Sequence, residues 1–188
     1  MGGLMYFEQA GIENTEKTLE AAFRYARDNH VTHILVASTS GHTARMLLDH
    51  FPHQLFTIVV VTHNTGFKTP GEQEFPDDLR DELTAHGIRV LTGTMVLRSL
   101  GTAIRGLAGY SEQDLVAATL RMLGQGIKVC VEIVAMACDA GLVPPEDVIA
   151  VAGTGHGADT ACLVKGDSSN RFFQIRVREI LAKPKEFQ

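Results

Sequence analysis

The stretch FTIVVV, residues 56–61, constrains the fold of this chain more than any other. It is largely β-branched and apolar on both alternating faces, so it needs cover above and below, as a central strand of a parallel sheet has. It ends in THNTGF, a polar turn that carries a glycine. The same design recurs. His33–Ala37 runs into STSGHT (38–43), Ile88–Leu91 into TGT (92–94), and Asp147–Ala152 into GTGHGADT (153–160).

Helical periods separate these strands. Asn14-Thr15-Glu16 is a helix start, followed by Leu19, Ala22, Phe23 and Ala26 at helical spacing. Ala44, Leu47, Leu48 and Phe51 mark a second helix that stops before Pro52. Residues 68–75 read as a loop, and Pro76 opens a short helix to Leu83. Ser111-Glu112-Gln113-Asp114 resembles a capping box leading to a helix that ends at Leu123. KVCVEIVAMACDA (128–140) is apolar almost all round, a buried helix stopped by Gly141. Between Met95 and Gly109, helix-spaced Val96, Leu100, Ile104 and Leu107 compete with glycines at 101, 106 and 109. Thr160–Val164 and Phe172–Ile180 are expected to close the sheet, antiparallel. The pattern predicts one α/β domain over residues 1–188: three αβα layers, a mainly parallel sheet and antiparallel C-terminal strands.

The totals exclude several function classes. A net charge of -5 over 188 residues does not suit a general nucleic-acid binder, which needs a basic face, though it allows a local basic pocket. Cys130, Cys138 and Cys162 form no CxxC pair, so neither a zinc site nor a disulfide framework is expected. The eight histidines show no HxxxH or HExxH spacing, and no metal is expected. The N-terminal MGGLMYFEQAG lacks the basic-then-apolar order of a signal peptide, and no apolar run approaches the roughly 20 residues of a membrane span. The expected setting is soluble and cytoplasmic, with no membrane partner.

Ligands of open α/β sheets bind beyond the carboxyl ends of the strands, where four turns rich in threonine, serine and glycine should gather. Hydroxyls and free N–H groups at a helix N-terminus suit a phosphate. The candidate residues are Ser38, Thr39, Ser40, Gly41, His42 and Thr43 in the first turn. Thr62, His63, Thr65, Gly66 and Phe67 follow in the second, and Thr92 in the third. Gly153, Gly155, Gly157, Ala158, Asp159 and Thr160 belong to the last. Ser40 serves either a ligand or only as a helix cap. Phe67 either stacks on a planar ring or covers the sheet edge. Glu132, a lone acid in an apolar helix, is either paired structurally, with Lys128 one turn away, or faces the ligand. No P-loop, GxSxG or GxGxxG after the first of these strands is present.

These residues resemble a known family. ENTEKTLEAA, HILVASTSGHTA, TIVVVTHNTGF and GIKVCVEIVAMACDAGLVPPEDVIAVAGTGHGADTA are similar to the stand-alone relatives of the pyruvate kinase C-terminal α/β domain, over most of residues 6–165. In pyruvate kinase the matching hydroxyl-rich loop holds a phosphate of a sugar bisphosphate activator. The resemblance therefore implies a phosphate role for Thr39, Ser40, Gly41 and Thr43, with GTGHGADT closing over the same effector. Pyruvate kinase does its chemistry in a separate barrel domain for which this chain has no room, so kinase activity is not expected. Residues 93–110 have no clear counterpart.

The leading expectation is a binding domain for a phosphorylated small molecule: a sugar phosphate or bisphosphate, or FMN, with Phe67, Met95 and Leu97 flanking the flavin ring. An alternative is an enzyme using Glu132, His63 or His156 as acid or base. Another is a scaffold that forms a homodimer or higher homo-oligomer, for which apolar positions in FFQIRVREIL are candidates.

Overall fold

The computed structural model describes residues 4–186. Its strands are β1 Met5–Gln9, β2 His33–Ala37, β3 Thr57–Val61, β4 Arg89–Leu91, β5 Asp147–Ala152, β6 Thr160–Lys165 and β7 Arg176–Glu186. The helices are α1 Thr15–Asp28, α2 His42–His50, α3 Asp77–Ala85, α4 Ser99–Ala108, α5 Glu112–Arg121 and α6 Gln125–Asp139. All seven strands join one sheet in the order β1-β7-β6-β5-β2-β3-β4. β2 pairs in parallel with both β3 and β5, and β3 with β4. β6 runs antiparallel to β5 and to β7.

Strand periodicity explains the three layers. Ile34, Val36, Ile58, Val60, Ile149 and Val151 share a core with Leu19 and Phe23 of α1, Leu47 of α2 and Leu83 of α3. The intervening Leu35, Val59, Val61, Val148, Ala150 and Ala152 share another with Ile127, Val131 and Val134 of α6. Each fully buried Val, Leu or Ile contributes roughly 1.5–3 kcal/mol, which is why alternate residues of one strand hold helices on opposite faces.

The chain passes from β2 through α2 to β3 and through α3 to β4. It then returns through α4, α5 and α6 to β5, on the other side of β2. The strand order therefore reverses between β2 and β5. At such a switch point the flanking connections diverge and leave a crevice at the carboxyl edge.

The structure departs from the sequence expectations in three places. β1 was not expected: MYFEQ buries only Phe7, and its parallel partner β7 lies at the far end of the chain. The last strand starts at Arg176 rather than Phe172, because Ser169–Gln174 form short 3-10 turns. Helix α4 forms despite its glycines. Gly101 packs so closely on α5 that a Cβ would lie 2.8 Å from Gln113 Cβ, so this glycine permits a helix contact. In the closing segment Phe173 faces outward, but a larger exposed apolar set lies on and after α4 and α5: Leu100, Leu107, Leu115, Met122 and Leu123. Among the described residues, no helix is long and apolar enough to cross a membrane.

Candidate functional site

At the carboxyl edge, over the reversal between β2 and β5, lies a cavity of about 240 Å³. The turns after β2, β3 and β5 form one side of its lining. Helix α6, Arg121 at the end of α5 and the segment around Met95 and Arg98 supply most of the rest.

The first turn is built by hydroxyl capping and one glycine. Ser38 donates its N–H to the Val61 carbonyl at 3.0 Å, fixing the end of β2 to β3. Its Oγ accepts the Ala44 N–H at 3.3 Å. Ser38, rather than Ser40, thus supplies the capping oxygen of α2. Gly41 holds φ at 92°, and a Cβ there would come within 2.6 Å of Leu79 Cδ2. Thr39, Ser40, His42 and Thr43 then line the cavity beside the first turn of α2, where backbone donors have no partner within the helix.

The second turn places His63 between two polar groups. Its Nδ1 lies 3.1 Å from Glu74 Oε2 and its Nε2 3.3 Å from Thr39 Oγ1. An ionised carboxylate only accepts, so Nδ1 donates to Glu74, and in the neutral ring Nε2 accepts the Thr39 hydroxyl. The Glu74 carboxyl is held below its ordinary value, first by the hydrogen bond from Lys68 and then by His63, against the effect of burial. Phe67 packs on His63 with ring centroids 3.9 Å apart and the ring planes inclined by 31°. The Arg98 guanidinium lies 4.5 Å from the same ring, within cation–π range.

The α6 wall carries Lys128 and Glu132, with 2 % and 1 % of their surface exposed. Lys128 Nζ donates to Glu132 Oε2, and Glu132 Oε1 accepts the Leu97 N–H at 2.7 Å. Both carboxylate oxygens are thereby occupied, so the structural pairing considered for Glu132 is present even though Glu132 also borders the cavity. Burial pushes the Lys128 amine below its ordinary value; Glu132 opposes this, while Arg121 and Arg98 push it further down. Arg121 is steered by its Nε, which donates to Gln125 Oε1 at 2.6 Å.

Gly153, Gly155, His156 and Gly157 complete the lining. Their turn is pinned from beneath. The Ala158 N–H donates to Thr15 Oγ1 at 3.0 Å, and Asp159 accepts the Thr154 N–H at 3.1 Å and the Thr160 hydroxyl at 2.8 Å.

Of the residues singled out in the sequence, Ser38, Thr39, Ser40, His42, Thr43, Thr62, His63, Phe67, Glu132, Gly153, Gly155 and Gly157 line this one cavity. Gly41, Thr65, Gly66, Thr92, Ala158, Asp159 and Thr160 lie behind or beside it. Thr92 shares a 2.7 Å hydroxyl contact with Thr62 and accepts from Arg80 at 2.8 Å. The Gly66 N–H donates to the Glu72 carbonyl, and Thr65 accepts from Gln73.

Sequence reasoning missed Arg98, Arg121 and Gln125 as lining residues, and took Lys128 only as a partner for Glu132. An ion-pair-spaced Lys and Glu in an apolar helix was the available signal for Lys128. For Arg98 and Arg121 no local pattern existed. In a chain of net charge -5, the cavity gathers three cations, Arg98, Arg121 and Lys128, against one carboxylate, Glu132.

The cysteines are not among the residues that line this cavity. Burial pushes Cys130 well above its ordinary value and Cys138 to about 11, which keeps both protonated at neutral pH. Among the described residues, no group of three or more His, Cys, Asp or Glu side chains is placed to hold a metal ion.

Fold and site together define an α/β domain with a cation-rich crevice at its sheet switch point. The family model for the pyruvate kinase alpha/beta domain matches residues 16–164, and the chain belongs to that family.

Proposed function

We propose that this protein binds a phosphorylated small molecule in the cavity between the turns 38–43 and 153–157. The donors of the first turn of α2 and the hydroxyls of Thr39, Ser40 and Thr43 take the phosphate, and Arg98, Arg121 and Lys128 balance the remaining negative charge. The observation that carries this reading is the convergence of three cations and a helix N-terminus on one cavity of an acidic chain. The family match covers only the alpha/beta domain of pyruvate kinase, so we assign binding rather than the kinase reaction.

A volume near 240 Å³ lies below the usual range for drug-sized ligands and favours a sugar phosphate. FMN is a second reading, supported by Phe67 and Met95 on the lining; it would give a yellow protein. The test is thermal unfolding against inorganic phosphate, glycerol 3-phosphate, fructose 1,6-bisphosphate and FMN. A ligand at about 100 times its dissociation constant adds about 2.7 kcal/mol, a rise of roughly 5–10 °C at this chain length. No rise with any of them overturns the proposal.

A further inference from the structure

The geometry points to an activity beyond binding: we infer that the cavity enolises a phosphorylated sugar carbonyl, with His63 as the base and Lys128 as the electrophile. This rests on the phosphate reading above and names the substrate class and reaction of the same site.

Three features meet the needs of that chemistry. A proton bonded to carbon beside a carbonyl needs a base with a fixed lone pair. Glu74, at 3.1 Å from Nδ1, fixes the His63 tautomer and leaves Nε2 as an acceptor. Nε2 is directed at Thr39 Oγ1, 3.3 Å away on the cavity wall. The Phe67 ring, its centroid 3.9 Å from that of His63 and inclined by 31°, packs on the imidazole and restricts its motion. Enolisation also develops negative charge on the carbonyl oxygen, and Lys128 on the α6 wall is the buried cation available to it. One of its N–H bonds is committed to Glu132. An ammonium has three donors, so others remain for a ligand oxygen. Finally, Lys128, His63 and the turn 38–43 line one cavity of about 240 Å³, a size suited to a triose- or tetrose-sized ligand.

The step balances without a co-reactant. Substrate displaces the Thr39 hydroxyl from Nε2. His63 takes the proton from the carbon next to the carbonyl, and that C–H pair becomes the C=C bond. The carbonyl π pair moves to its oxygen, where Lys128 supplies a proton and recovers one from the neighbouring hydroxyl. His63 then returns its proton to the adjacent carbon. The product is the isomeric sugar phosphate, and no net oxidation occurs. His63 and Lys128 touch substrate and are the catalytic residues; Glu74 is a positioning residue.

The test follows deuterium uptake from heavy water into dihydroxyacetone phosphate by NMR, beside calorimetric binding of glycerol 3-phosphate, which has no carbonyl. The expected result is exchange well above the buffer rate. It should fall at least 100-fold in His63→Gln and in Lys128→Met/Glu132→Gln, the double change avoiding an unpaired buried carboxylate. Glu74→Gln should lower kcat and move its pH profile while leaving KM close to that of the parent. Exchange at the buffer rate, or exchange unchanged in the folded variants, while glycerol 3-phosphate still binds, overturns enolisation and leaves binding intact. If neither compound binds and no exchange occurs, both readings fall.

Discussion

Glu132 Oε1 accepts the backbone N–H of Leu97 at 2.7 Å, so one buried carboxylate ties helix α6 to the segment that presents Arg98 to the cavity. The other oxygen of that carboxylate holds Lys128. Removing the acid therefore leaves a buried amine and a buried N–H without partners. Glu132→Ala should cost about 3–5 kcal/mol, the usual consequence of breaking a buried pair from one side. Replacing both residues, as in Lys128→Met/Glu132→Met, should recover the part of that loss owed to the unpaired amine, while the Leu97 N–H stays without its acceptor. Urea unfolding of the three proteins checks it.

Thr43 is buried at the first turn of α2 and lines the cavity. Thr43→Ala should leave the unliganded melting temperature within about 2 °C of the parent while weakening phosphate affinity roughly tenfold, the equivalent of one hydrogen bond to a charged group. Isothermal calorimetry with inorganic phosphate measures this directly.

Gly41 joins a left-handed backbone to a close approach by Leu79. Gly41→Ala should destabilise the fold by about 1–2 kcal/mol through the conformation alone, with further loss where Leu79 must move. Because the same residue is the N-cap of α2, the variant should also bind phosphate less tightly than its stability loss explains. Unfolding and calorimetry on one preparation separate the two effects.

The Glu74 carboxyl is held below its ordinary 4.5 by Lys68 and His63. A carboxyl depressed in the folded state stabilises it above the unfolded value, and that contribution disappears as pH falls through the folded value. Glu74→Gln should therefore melt below the parent at neutral pH, with the difference closing as the pH falls below the ordinary carboxyl value of 4.5. Melting temperature against pH for the two proteins gives the result.

Much of this protein is written locally. FTIVVV must be covered on both faces, and in the structure Ile58 and Val60 meet one helical layer while Val59 meets the other. The polar turns follow their strands at once, so placing the cavity at this edge required only the rule that parallel strands share a direction. Eleven of the candidate residues reach the cavity for that reason, and Glu132 reaches it from helix α6. The seven that do not reach it belong to the same turns, because turn residues alternate between facing the cavity and holding the turn together, as Thr62 and Thr92 show.

Other features depend on partners distant in sequence. Strand β1 exists through its pairing with β7, Met5 beside Ala182; neither stretch carries that register by itself, because an edge strand takes its hydrogen bonds from its neighbour. Arg98 and Arg121 are ordinary exposed arginines to a local reading. Only the reversal of strand order between β2 and β5, with the long return through α4 and α5, brings them to Lys128. What the sequence alone determined was the layering and the sheet edge at which the polar turns gather, since both follow from the periodicity of neighbouring residues. What the tertiary structure decided was the charge of the pocket and the orientation of His63, since both arise from groups that meet only after the chain has folded.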